Sequence, residues 1–203
     1  ELYHFFSSPI AYIVTCIFLL IAGYFYSGYL IRFAEFTASG QGGLEHSSLF
    51  RYFFHDLAII LLFLLPVITM HLFAEEKKSG TLEILFTKPV QDFEVVLGKF
   101  LAVILTYISM LSFTLIYVCI LLTVGKPDFG PILGVYLGII LLGACFLSLG
   151  LLASSLTSNQ IVAVVLGFGF LLLFWLLDIL SQYVGPLSGI VSYMALLSHF
   201  ESF

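Results

Sequence analysis

The sequence predicts an all-α protein, a polytopic bundle of membrane-spanning helices, and two observations carry that prediction. Of its 203 residues, 61% are hydrophobic and only 9% charged, with a mean hydropathy of +1.16; a soluble domain carries roughly a quarter charged residues. The apolar residues also gather into five runs long enough to cross a hydrocarbon layer about 30 Å thick, which takes roughly 20 helical residues at about 1.5 Å rise. A helix is the element such a run must adopt, because it pairs its own backbone polar groups where no water reaches.

The runs cover residues 10–31, 57–74, 100–124, 131–153 and 161–180, and the whole of 1–203 reads as one transmembrane domain. The first is rich in Tyr and Phe at its far end (Tyr24, Phe25, Tyr26, Tyr29), where amphipathic rings suit a membrane interface. Pro66 lies inside the second run, removes a backbone donor and is expected to kink it. Pro131 opens the fourth at a position helices tolerate. Trp175 and Tyr183 mark the exit of the fifth, and Ile190, Val191, Met194 and Leu197 form an apolar stripe over 187–198, expected as an external helix lying along the interface. Glycines in the fourth run (Gly134, Gly138, Gly143, Gly150) and the fifth (Gly167, Gly169) permit close approach of helix backbones.

Charge and cysteine usage exclude other classes. Net charge is −5 and no Lys/Arg cluster occurs, so nucleic-acid binding has no electrostatic footing. Cys16, Cys119 and Cys145 fall inside apolar runs without metal-ligand spacing; they are expected to be buried packing thiols, with neither disulfide nor zinc site. The chain starts at Glu1 without the basic region of a signal peptide, and reads as an excerpt of a longer protein.

The polar connections differ in character. Residues 75–99 hold Lys77, Lys78, Lys88 and Lys99 beside five carboxylates, whereas 32–56 is Gly/Ser-rich and sparsely charged. The remaining basic residues are Arg32, Arg51 and Lys126, so the positive-inside bias is thin, but it puts 75–99 in the cytoplasm. Within it runs Ala74-Glu75-Glu76-Lys77-Lys78-Ser79-Gly80-Thr81-Leu82-Glu83-Ile84-Leu85-Phe86-Thr87-Lys88-Pro89-Val90. Ser79-Gly80-Thr81 breaks the chain and can recap it; Leu82, Leu85 and Phe86 share one face of the short helix that follows; Pro89 stops it; and a new helix starts near Asp92, a candidate cap. By itself this pattern fits either a solvated connector resting on headgroups or a docking element.

An acidic pair, two basic residues, Ser-Gly-Thr-Leu-Glu, then Pro-Val and Leu97-Gly98-Lys99 resembles the loop after the second helix of ABC-2-type transporter permeases. The stretches from Phe6 to Tyr12 and from Ala153 to Gln160 are similar to the same family, and within it the chain looks most like the gliding-motility-associated permeases. The resemblance implies a multi-pass subunit of the cell's inner (plasma) membrane that moves a substrate using ATP hydrolysed elsewhere. It implies that residues 75–92 are a coupling segment, with Glu75, Glu76, Ser79, Gly80, Thr81, Leu82, Glu83, Leu85 and Phe86 meeting a separate ABC ATPase subunit. It also implies a second permease chain, identical or different, and a sixth helix after Phe203. No GxxxxGK[ST] phosphate loop occurs, so ATP and magnesium would belong to the partner and this chain is expected to hold no cofactor, metal or catalytic residue.

Two rivals come from other classes. Glu75-Glu76, with His71 one turn earlier, could imitate the carboxylates of an intramembrane hydrolase or two ligands of a metal, but no HExxH occurs and no third ligand is at hand. A secondary transporter would show paired broken helices in two related halves, and only Pro66 breaks one. Asp178, near the outer end of the fifth run, reads as a solvated terminus.

Overall fold

The computed structural model describes residues 9–38, 46–81, 91–124 and 129–181. Described elements are α1 (Pro9–Ala38), α2 (His46–Thr69), a π turn (His71–Glu75), α3 (Glu76–Ser79), α4 (Asp92–Ser112), α5 (Leu115–Val124), α6 (Phe129–Leu156) and α7 (Gln160–Ser181). No strand occurs among the described residues. Four stretches, Tyr12–Arg32, Tyr52–Ser79, Asp92–Thr123 and Phe129–Leu156, are long and apolar enough to cross a membrane, and Gln160–Leu176 is a shorter apolar helix.

The helices outrun the apolar runs that predict them. α2 starts at His46 rather than residue 57, α4 at Asp92 rather than 100, and α1 and α6 extend beyond both predicted ends. Hydropathy marks where a helix meets lipid, whereas backbone bonding carries on through polar flanks until a cap stops it. The cap of α4 is Gln91, not Asp92: its side chain accepts from the third helical residue while Glu94 Oε2 accepts from the Gln91 amide at 3.3 Å, a reciprocal capping box. The third span is divided at Phe113–Thr114, where the Thr114 hydroxyl donates to the Leu111 carbonyl at 2.6 Å and competes with the helical ladder.

The second span is central, with α1, α6 and α7 packed around it, and α4 lies against α6. α1 buries one stripe at four-residue spacing (Val14, Phe18, Ala22, Tyr26) and α7 another (Ala163, Gly167, Leu171), while their other faces carry exposed Leu20, Tyr24, Val165 and Leu173. α2 buries Phe53, Phe54, Leu57, Leu61, Leu65 and Ile68. Lipid is as apolar as these side chains, so close packing and interhelical hydrogen bonds must hold the bundle.

Glycine makes that packing possible at two positions of α6. A Cβ on Gly143 would overlap the Tyr107 ring, and one on Gly150 the Thr69 side chain. The Tyr107 hydroxyl, thereby admitted, donates to the Ile139 carbonyl at 2.6 Å. Gly167 of α7 completes a close junction, its would-be Cβ 3.4 Å from Pro66 Cβ and 3.6 Å from Ala153 Cβ.

The two ends of the bundle differ chemically. At one, aromatic rings link four spans: Tyr26, Phe53 and Tyr117 pack with centroids 4.9 to 5.9 Å apart, and Phe54 meets Tyr136 at 4.7 Å. Hydroxyls pin these rings, with Tyr26 donating to the Tyr117 carbonyl at 2.7 Å and Tyr117 to the Leu19 carbonyl at 3.0 Å. Tyr29 donates to Asp56 Oδ2 at 2.6 Å nearby. The other end carries the charged connection. Contacts of Tyr26 with Tyr117 and of Glu76 with Lys99 establish that the first three spans alternate in direction, and those of Phe54 with Tyr136 and of Lys77 with Ser155 that the fourth runs parallel to the second.

The three cysteines are exposed, which corrects the expectation of buried thiols. A thiol is apolar enough to face lipid as readily as a core, and an apolar run has an outer face as well as an inner one. The interfacial helix expected over 187–198 lies outside the described residues, as does the side chain of Asp178.

Candidate functional site: the joint at the base of the charged connection

Pro66 leaves no sharp mark where it stands. α2 continues through it, the Met70 amide donating to the Pro66 carbonyl at 3.0 Å. One turn later, Thr69 Oγ1 donates toward the Leu65 and Pro66 carbonyls, each at 3.2 Å. The break in α geometry comes after this, from His71 to Glu75, where the chain winds into a π turn.

Ser154 of α6 enters the ladder there. Its Oγ accepts from the amides of Phe73 and Ala74, both at 3.1 Å, and donates to the Met70 carbonyl at 3.1 Å. In an α-helix those amides would bond to the carbonyls of Thr69 and Met70 four residues back. A hydroxyl has one donor and two acceptor sites, so Ser154 is saturated by the π turn. It has no exposed surface. Gly150, one turn earlier on the same face of α6, makes room for Thr69 beside it.

Beyond the π turn, α3 runs for one turn and stops at Gly80, whose φ of +73° favours glycine, so the expected break at Ser79-Gly80-Thr81 is present. Ser79 Oγ bonds to the Glu76 carbonyl at 3.2 Å and to Thr81 Oγ1 at 2.9 Å. The Lys77 ammonium donates to the Ser155 carbonyl near the end of α6, which ties α3 to the fourth span at a helix terminus that favours a cation.

Lys99, in the second turn of α4, is 1% exposed and donates to Glu76 Oε1 at 2.5 Å. Its ammonium also stands 5.2 Å from the centroid of the Phe73 ring. A buried ammonium needs a counter-charge, and Glu76 supplies it. Sequence reasoning placed Lys99 in the charged connection without assigning it a partner. A lone lysine at the mouth of an apolar run, across a loop from two glutamates, was the available signal.

The predicted residues therefore divide. Glu75 bonds to His71 Nδ1 at 2.8 Å and Glu76 to Lys99, so the two glutamates are engaged separately rather than as a carboxylate pair. Ser79, Gly80 and Thr81 form the turn after α3. Leu82, Glu83, Leu85 and Phe86 lie outside the described residues. Among the described residues no group of three or more His, Cys, Asp or Glu could hold a metal ion.

Long apolar helices alternating in direction, with a charged connection tied at both ends to the bundle, define a multi-pass integral membrane protein. A family profile described as ABC-2 family transporter protein matches residues 1–199, and the chain belongs to that family. It is accordingly a membrane component of an ABC transporter, a class that works with an ABC ATPase. No curated protein and no solved structure matches the chain.

Proposed function

We propose that this chain is the permease subunit of an ABC transporter of the inner membrane, and that residues 75–92 are its cytoplasmic coupling segment. The observation that best supports this is the Glu76–Lys99 ion pair. Glu76 stands at the start of the segment and Lys99 beyond its end, so a push on the segment is delivered to the second and third spans together rather than absorbed by a slack loop. Lys77 on Ser155 and Ser154 on the π turn extend the same connection to the fourth span.

In this reading Leu82, Leu85 and Phe86 are the apolar anchors in a groove of a separate ATPase chain, with Glu75, Glu83, Ser79, Gly80 and Thr81 around them. ATP and magnesium sit on that partner. Closure of two ATPase subunits moves two such segments, one from each of a pair of permease chains, as rigid bodies. Glu76 belongs to the inner side of the joint, since Lys99 holds it. The likeness to gliding-motility-associated permeases is the finer assignment that we propose within the family.

The test is ATP hydrolysis by the partner with and without this chain in lipid. Leu85→Asp is expected to leave membrane insertion intact and to abolish stimulation of hydrolysis; undiminished stimulation would remove the segment from coupling.

A further inference from the structure

We infer that Ser154 is a positioning residue that fixes the rotational register of the coupling segment by holding the second span in its π turn. This deepens the coupling reading and takes its functional meaning from it, although the geometry stands on its own. The Ser154 hydroxyl replaces the α bond from the Ala74 amide to the Met70 carbonyl and draws the Phe73 amide away from Thr69. The turn is thereby kept one residue too large. Without the hydroxyl, the buried Phe73 and Ala74 amides would lose the acceptor that it supplies. The nearest way to pair them is to close the α bonds within the chain itself.

Closing those bonds removes the extra residue from the turn. Everything after it then rotates by about 100°, the angle of one residue in a helix of 3.6 per turn. That rotation carries Glu76 off the face that meets Lys99, so the π turn and the ion pair stand or fall together. Two features support a built arrangement rather than a loose irregularity. All three capacities of the hydroxyl are used, and Gly150 leaves the space that brings α6 close enough for Ser154 to reach in. The fourth span thus sets the direction in which the segment leaves the bundle.

The proposal is tested in the full chain, without any ATPase, after replacing Cys16, Cys119 and Cys145 by serine. Spin labels on Lys78→Cys and Phe93→Cys, both exposed positions, report the orientation of α3 against α4 through their separation. Ser154→Ala is expected to move the main distance by about 5 Å, the displacement of a helix surface turned through one residue, and Ser154→Thr, which keeps the hydroxyl, to return it toward the parent value. Deleting His71 in the Ser154→Ala background takes the surplus residue out of the turn, so the parent distance should reappear. An unchanged distance in Ser154→Ala overturns the proposal, and so does a deletion variant that fails to restore it. If Ser154→Ala alone does not fold, the deletion variant is compared directly with the parent and decides the matter. No nucleotide or partner enters this measurement, so its failure is distinct from a failure of the coupling reading, which stimulated ATP hydrolysis tests.

Discussion

Lys99 and Glu76 bracket the charged connection and meet across it, Nζ to Oε1 at 2.5 Å, with the lysine 1% exposed. Glu76 opens α3 and Lys99 lies in the second turn of α4, so one contact ties both ends of the connection to the bundle.

Removing one partner should show this directly. Lys99→Met leaves Glu76 half-buried without its counter-charge and is expected to lower stability by about 1–3 kcal/mol, below the range for a fully buried pair because Glu76 is 29% exposed. A double-mutant cycle with Glu76→Gln, read by thermal unfolding in detergent, should give a coupling of about 1 kcal/mol or more. Additive losses would mean that the pair does not act as a unit.

Glycine tolerance should follow the contacts and not the composition. Gly150→Ala is expected to cost about 1–3 kcal/mol because its Cβ overlaps Thr69, and Thr69→Ala should recover part of that loss. Gly169→Ala, whose Cβ would meet nothing within 4 Å, should be neutral or slightly stabilising. Unfolding temperatures of Gly150→Ala, of Gly150→Ala combined with Thr69→Ala, and of Gly169→Ala check both statements.

The Tyr107 hydroxyl donates to the Ile139 carbonyl within the bundle, at 2.6 Å. Tyr107→Phe preserves the ring against Gly143 and is expected to cost about 1 kcal/mol, the scale of one interhelical hydrogen bond. Tyr107→Ala should cost about 3–5 kcal/mol by opening a cavity. Similar losses for the two variants, measured by thermal unfolding, would place the energy in the bond rather than in the packing.

Sidedness gives a fourth expectation. In a background without native cysteines, Lys78→Cys should resist a membrane-impermeant maleimide in intact cells and react in inverted vesicles. Tyr52→Cys, an exposed position near the aromatic end, should show the reverse pattern. Reaction of Lys78→Cys from outside would reverse the orientation and detach the segment from the cytosol.

The helices were legible in the sequence because an apolar run near twenty residues has one stable form in lipid, and their count follows from such runs alone. Which face points inward is not legible where every face is apolar, as in α6, and so Cys145 and its two counterparts, expected inside, face out. The turn at Gly80 was readable from its glycine. The π turn was not, because its cause lies some 80 residues away in Ser154, which sits among small residues that suggest a connection between spans. Pro66 marks the right span but one turn too early, since the Met70 amide still bonds to its carbonyl.

Coupling requires an ATPase subunit to grip residues 75–92, and site-specific photocrosslinking reads that contact most directly. With a photoreactive phenylalanine at position 86 in the purified permease–ATPase complex, illumination should yield a covalent adduct with the ATPase chain, and the same probe at Tyr24, exposed on α1, should yield none. An adduct from Tyr24 alone, or none from position 86 in a complex that hydrolyses ATP, would contradict it.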